Sequence, residues 1–379
     1  MSDHISRREV LRYLGVAAAT PLVVADGTPA SASTRVVGGS VTRPTLYANQ
    51  NAYGPSAKAV AAVRDAPDEV VFGYAQASCE RLRARLADTY RVAPAQIVLG
   101  CGSTEILHTA AEAFLGPGKK LVTAQPTCEL LSAAAKAVGA DVTSVPLAAN
   151  HAHDLSAMLE ACDAATRLVY ICTPHNPTGT VTRRAAIDTF LERRPAHSVV
   201  VIDEAYHEYV LPSPEALSFL ERPAADDRVI VVRTFSKIHG LAGLRVGYAV
   251  ASARLAELMT TRRLPLSVSG VAAEAAMAAL GDLEHVRMSV RRNADDRQEF
   301  YNHAHARMLR VIDSQTNFVM LDTARPATDV VTHFRAHDLT LPPPSVRYER
   351  YVRVSIGTAA EMSEFWRVWD LMPVIHSHG

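Results

Sequence analysis

The sequence predicts an α/β protein, with a large domain built on a mainly parallel sheet flanked by helices and a smaller α+β domain at the C-terminus. Three observations carry that expectation. The 379 residues suffice for one large domain with a sizeable core plus a smaller one. From about residue 95, short runs rich in valine and isoleucine alternate with longer amphipathic stretches, the pattern of parallel strands covered by helices on both faces. After residue 270 the alternation gives way to one long helical run and a few separate strands.

The expected strands follow in order: QIVLG (96–100), KLVTA (120–124), DVTSVP (141–146), RLVYICT (167–173), SVVVID (198–203), RVIVVRT (228–234) and RVGYAVA (245–251). Between most of them lie helical patterns such as STEILHTAAEAFL and CELLSAAAKAV. The C-terminal part reads as a helix over 272–308, a strand NFVML (317–321), a helix near 327–337, a strand YVRVSI (351–356) and a last helix, AEMSEFWRVWDLM. PPPS (342–345) is a stiff loop. These runs divide the chain into an N-terminal arm (33–58), a large domain (59–268) and a small domain (269–379), after a leader over 1–32.

The leader rests on SRREVLR (6–12), a modestly apolar stretch LGVAAATPLVVA, and the small residues Ala30-Ser31-Ala32, which together read as a twin-arginine export signal with its cleavage site. Export by that route, to the periplasm or beyond, is the expectation; the alternative is a basic, disordered arm on a cytoplasmic protein. The apolar stretch is too short to span a bilayer, which takes about 20 residues. Lysine plus arginine balance aspartate plus glutamate, so the formal charge is zero and nothing suggests a nucleic-acid or acidic-membrane partner. The five cysteines lack metal-ligand spacing and read as core thiols.

Ligands of open parallel sheets gather beyond the carboxyl ends of the strands, and four features fall there. GCGSTE (100–105) follows a strand and opens a helix, so its backbone N–H groups can hold a phosphate, unless the glycines serve only tight packing. TPHNPTG (173–179) again follows a strand, although turn chemistry alone accounts for Asn176-Pro177. SVVVIDEAY (198–206) ends four β-branched residues with Asp203 and Glu204. A carboxylate at the end of a buried strand costs free energy unless it meets a cation or donors. Lys237, in TFSKIHGLAGLRVGY (234–248), leaves the apolar run VIVV. It is either a solvated loop lysine or an amine with chemistry to do. Each feature has a bland reading, but all four on one sheet edge point to a ligand site.

These residues resemble the fold-type I pyridoxal-phosphate enzymes of the class I/II aminotransferase kind, most closely the histidinol-phosphate aminotransferase group. The resemblance runs from ANQNAYGPS (48–56) to RVSIGT (353–358), with DEAY and RTFSK…GLAGLRVGY as its most specific motifs. It implies the aspartate-aminotransferase-like fold, pyridoxal 5'-phosphate as cofactor, and an amino acid and a 2-oxo acid as substrates. Lys237 becomes the amine that captures the cofactor aldehyde as a Schiff base and then moves the proton at the substrate Cα. Asp203 pairs with the pyridinium nitrogen, and Tyr206 and Asn176 with the ring's phenolic oxygen. Ser103 and Thr104, at the helix opening, receive the phosphate, with Ser236 and Arg245 adding donors and charge. Tyr74, in FGYAQAS, matches a tyrosine that reaches the phosphate from a neighbouring subunit, which implies a homodimer with shared sites. Arg353 matches the arginine that grips the substrate α-carboxylate through its planar fork, with Asn176, Tyr53 and Asn51 also on the substrate side.

The departures from the family pattern bear on substrate. Cys128, in PTCELL, stands where an aromatic residue usually stacks on the ring, and reads as an inert filler rather than a reactive thiol. Thr104 stands where an acidic residue is common. The segment that carries an arginine for the substrate phosphate in the histidinol-phosphate group reads LTLPPPSVRYER, with Arg347 and Arg350 as the only nearby substitutes. The expected activity is therefore transamination of an amino acid, not dedicated to histidinol phosphate. The alternatives are a decarboxylase or oxidase of the same fold, histidinol-phosphate transamination itself and, last, a cofactor-binding protein without turnover.

Overall fold

The computed structural model describes residues 46–222, 226–345 and 347–373; the expected leader over 1–32 and the first part of the arm lie outside the described residues. Seven strands form the large sheet: β1 (Ile97–Cys101), β2 (Lys120–Gln125), β3 (Asp141–Pro146), β4 (Thr166–Cys172), β5 (Val199–Asp203), β6 (Val229–Thr234) and β7 (Val246–Val250). Their order is β1-β7-β6-β5-β4-β2-β3. The run from β3 to β6 is parallel, and β7 lies antiparallel between β6 and β1. The direction of β7 follows from its connection. Residues 235–245 hold no α-helix, so the chain turns back at the carboxyl end of β6 instead of crossing over. That return loop is the segment that carries Lys237 and Arg245.

Strands β5, β6 and β7 are buried along their whole length, as their apolar composition requires. One face of the sheet packs under helices Gln76–Tyr90 and Gly270–Leu280, the other under helices Gly102–Phe114 and Leu130–Ala137. Helix Gly270–Leu280 is rich in alanine, and its small side chains allow close packing on helices Ala57–Arg64 and Gln76–Tyr90. The large-sheet core therefore extends past residue 268, where the sequence placed the domain boundary. The single helix expected over 272–308 is two, because Gly281 caps the first and Asp282 opens Leu283–Ala306.

The smaller sheet is antiparallel, in the order β10-β9-β8, from β8 (Arg310–Ile312), β9 (Phe318–Asp322) and β10 (Tyr351–Ser355). The sequence reading missed β8, whose three residues are too short to show a period. Val352 and Val354 pack with Phe300, Phe334, Phe365 and Trp366 on one face of this sheet. Leu46 joins that core. Its backbone exchanges hydrogen bonds of 3.0 Å with Thr340 and Ser355, which stitches the arm beside β10 and carries residues 47–51 over the lysine loop. Among the described residues no helix is long and apolar enough to cross a membrane.

Candidate active site

The site lies at the carboxyl ends of β4, β5 and β6. Lys237 follows β6 and points its Nζ at the Ala48 carbonyl, 3.2 Å away, with the Tyr206 ring 5.3 Å from the amine. Burial, and then the neighbouring Arg353 charge, pull its pKa down from the ordinary lysine value to about 8. An amine in that state is partly neutral near physiological pH and can act as nucleophile or base.

Asp203 ends β5 and is 4% exposed. The Tyr170 hydroxyl donates to its Oδ2 at 2.8 Å and the Ala205 amide to its Oδ1 at 3.1 Å. Burial raises its pKa, while those two donors and the Lys237 charge pull the other way. Its direct hydrogen-bond donors are thus neutral, and the carboxylate is under-compensated.

The helix Gly102–Phe114 opens with Ser103 and Thr104 in its first turn, and two glycines make room there. Gly102, at φ +73°, has Arg245 folded against it, so an added Cβ would lie 2.3 Å from the guanidinium. A Cβ on Gly247 would come equally close, 2.3 Å, to the Ser103 backbone nitrogen. Arg245 Nη1 also reaches the Ser236 hydroxyl at 3.3 Å. Free backbone N–H groups, two hydroxyl groups and a guanidinium at a helix N-terminus suit a phosphate. Together with the under-compensated Asp203 and the buried amine of Lys237, they fit pyridoxal phosphate. The phosphate matches the helix opening, the ring nitrogen Asp203, and the aldehyde Lys237.

Alternate residues of β10 close the other wall. The Ser355 hydroxyl donates to Asn49 Oδ1 at 3.0 Å and accepts from the Asn49 amide at 2.9 Å; Asn49 Nδ2 in turn donates to the Tyr206 hydroxyl at 3.0 Å. Two residues earlier, Arg353 donates to Asn176 Oδ1 at 2.6 Å and to the Tyr47 carbonyl at 2.7 Å, and its buried Nε has no partner among the described residues. Two residues earlier again, the Tyr351 ring lies 6.3 Å from that of His151, which also bonds the Tyr348 hydroxyl at 2.9 Å. Val352 and Val354 point the opposite way into the core, as strand alternation requires.

The structure therefore gathers Lys237, Asp203, Tyr206, Asn176, Ser103, Thr104, Ser236, Arg245 and Arg353 around one cleft. Asn176 accepts from Arg353 through its side-chain oxygen. Cys128 lies within electrostatic reach of Asp203, Lys237 and Arg353, and burial raises its thiol pKa, as an inert filler requires. Two residues expected on the substrate side are engaged elsewhere. Tyr53 donates to Asp296 at 2.5 Å on helix Leu283–Ala306, and Asn51 braces the lysine loop by donating to the Ile238 carbonyl at 2.7 Å. Asn51 Oδ1 accepts from the Tyr53 amide, so both its polar ends are used within the protein. Tyr74 is 91% exposed and stands away from its own chain's cleft. Sequence reasoning missed Asn49 and Tyr170. Asn49 adopts φ +52°, a conformation asparagine tolerates better than most residues, but nothing in ANQN singles it out.

The family model described as aminotransferase class I and II matches residues 45–368. A histidinol-phosphate aminotransferase of Moorella thermoacetica is 37% identical over 325 residues, 85% of this chain and 83% of that protein. The crystal structure of histidinol-phosphate aminotransferase from Sinorhizobium meliloti in complex with pyridoxal-5'-phosphate superposes with a TM-score of 0.81 at 27% identity, covering 87% of this chain and 92% of that one. An aspartate aminotransferase variant of Thermus thermophilus shares the fold, with a TM-score of 0.76 at 20% identity over 86% of this chain and 96% of that one.

Proposed function

The chain belongs to the class I and II aminotransferase family and is a pyridoxal-phosphate-dependent transaminase; from that premise we propose that its donor is a free amino acid and not a phosphorylated one. The observation that carries this is the surroundings of Arg353. Prolines 342–344 occupy the segment that would supply a phosphate-gripping arginine. Of the two substitutes, Arg350 turns to Asp322 at 3.0 Å on an exposed edge, and Arg347 is exposed. One guanidinium with a buried, unpartnered Nε suits a carboxylate. A phosphate dianion left without a second cation carries an uncompensated desolvation cost.

When bound, pyridoxal phosphate supplies an aldehyde that takes up the amino group and a cationic ring that withdraws electrons from the substrate Cα. The protein's part is to position and to move protons. Arg353 holds the carboxylate and is itself oriented by Asn176 and the Tyr47 carbonyl. Asp203 holds a proton on the ring nitrogen by opposing its charge. Lys237 Nζ, with its pKa lowered to about 8, would take the proton from the substrate Cα and deliver it to the carbon that carried the cofactor aldehyde. Tyr206, kept in place by Asn49, presents its hydroxyl to the ring edge.

A half-reaction screen tests the donor, following cofactor absorbance with free amino acids and with histidinol phosphate under identical conditions. Free amino acids should react faster. The relatives' names favour the opposite outcome, histidinol phosphate as donor, and its preference in the screen would overturn this reading.

A second copy of the chain completes the site in this proposal. Val71, Phe72 and Tyr74 are exposed, with Leu264 and Leu266 also open to solvent. An apolar groove of about 340 Å³ opens between Val60, Val63, Leu241 and Leu244, just past the lysine loop. Phe72→Asp should then yield a monomer in sedimentation. Mixing inactive Lys237→Ala with an inactive Tyr74 variant should restore activity by pairing one intact site. Export by the twin-arginine route is proposed as well: residues 1–35 fused to a reporter should carry it out of the cytoplasm folded, and Arg7→Lys with Arg8→Lys should stop it.

A further inference from the structure

We propose that Tyr170 is the positioning residue that keeps Asp203 ionised and aimed at the cofactor ring. Tyr170 is fully buried in mid-strand β4, surrounded by Leu168, Val199, Val201 and Val232. Its strand partner in register is Val201, while Cys172 sits opposite Asp203. The phenol therefore reaches diagonally along the sheet to place its hydroxyl 2.8 Å from Asp203 Oδ2. The Cys172 thiol is its other, weaker polar neighbour. Phenylalanine would fill the same apolar space, so the oxygen is what distinguishes this side chain, and a buried phenol of this kind requires a partner.

The need for such a donor is physical. The groups facing Asp203 are Tyr170 and Cys172 from β4, Cys128 from the loop after β2, Glu204 and the Ala205 amide from its own strand end, and Lys237 from the return loop. Burial in that company favours the neutral acid, and both thiols are themselves held protonated by burial. A neutral Asp203 exerts no pull on a ring cation. A hydroxyl that can only donate to the carboxylate stabilises the ionised form, so removing it raises the carboxyl pKa further. The ionised fraction then begins to fall at a higher pH as acid is added.

Affinity for pyridoxine 5'-phosphate tests this, because that probe has the ring and phosphate but no aldehyde for Lys237. Dissociation constants would be measured on cofactor-free protein across pH for wild type, Tyr170→Phe, Asp203→Asn and the double variant. Tyr170→Phe should weaken binding by about tenfold or more near pH 6, with the loss shrinking as pH rises, the scale of one hydrogen bond to a charged group. In the Asp203→Asn background the same change should add less than about twofold, since coupled partners are not additive. A loss equal at every pH, an equal loss in the Asp203→Asn background, or no loss at all would each reduce Tyr170 to a packing residue. Should Tyr170→Phe fail to fold, the double variant, which leaves no charge without its donor, must fold; its failure too would overturn the proposal.

Discussion

Asp203 and Glu204 are neighbours in sequence and both buried, yet the surroundings built for them are opposite in kind. Glu204 meets a full set of partners. Arg233 reaches it through Nε at 2.9 Å and Nη2 at 2.8 Å, the Ser218 hydroxyl donates at 2.8 Å and the Phe219 amide at 2.7 Å. Arg233 also bonds Glu208 at 2.6 Å, and the three charged groups close on one another. Among the described residues, Asp203 has only a phenol and one amide within hydrogen-bond range. The difference separates a finished ion cluster, which anchors the fold, from a charge left open for a cation that arrives with a ligand. Burial alone does not mark a functional carboxylate; burial with its charge unmatched does.

Mutations can break or sharpen that contrast. Lys237→Ala should have the largest effect on chemistry, costing at least about 10²–10⁴ in turnover, with no borohydride-trapped cofactor on the Ser236–Ile238 peptide. Because the Glu204 cluster is untouched, urea denaturation of that variant should stay near wild type. Arg233→Ala attacks the other side and should destabilise the cofactor-free protein by about 3–5 kcal/mol, read from its urea midpoint, because the buried Glu204 and the partly buried Glu208 both lose their cation.

Asp203→Asn should raise the barrier to turnover by roughly 2.7–4 kcal/mol in stopped-flow half-reactions. Its effect on stability should have the opposite sign. The Asp203 pKa is raised on folding, so the ionised acid destabilises the cofactor-free protein above that pKa, and the penalty fades as pH falls towards the unfolded value. The Asn variant should therefore be more stable than wild type near pH 8, with the gap closing in acid. Loss of stability at pH 8 would place Asp203 with Glu204 as a structural group. Arg254→Ala, which breaks the exposed pair with Asp227 at 3.1 Å, should change stability by no more than about 1 kcal/mol.

The seven strands of the large sheet were legible because β-branched runs buried on both faces leave few alternatives, and DEAY and FSK fix which strand ends carry charge. Lys237 and Asp203 stood out as polar residues where an apolar run stops, whereas Asn176 and Arg353 were singled out as functional only through the resemblance to the family. What stayed hidden depends on tertiary register. Tyr170 looks like any aromatic strand residue until the pairing of β4 with β5 sets it diagonal to Asp203. Asn49 has meaning only once Leu46 is stitched beside β10. The pull of Asp296 on Tyr53 joins residues 243 positions apart, which no local pattern announces. The break at Gly281 was readable in principle, but a continuous helical pattern on both sides outweighed one glycine.

Strand β10 spaces its inward residues so that Ser355 meets the arm at Asn49, Arg353 the loop after β4 at Asn176 and Tyr351 the loop after β3 at His151, while Val352 and Val354 hold the core. That division ties the strand to a fixed register, while the loop before it has no such alternation to keep. Inserting or deleting one residue within β10 exchanges its two faces and destroys anchor and core together. Residues 342–345 precede that register, whereas Tyr348 is buried beside Ile312 and Met320 and the carbonyls of Glu349 and Arg350 are bonded to Ala327 and Thr323. A change of loop length before Tyr348 therefore leaves the anchor and core faces of β10 in register, whereas a change of length within the strand does not.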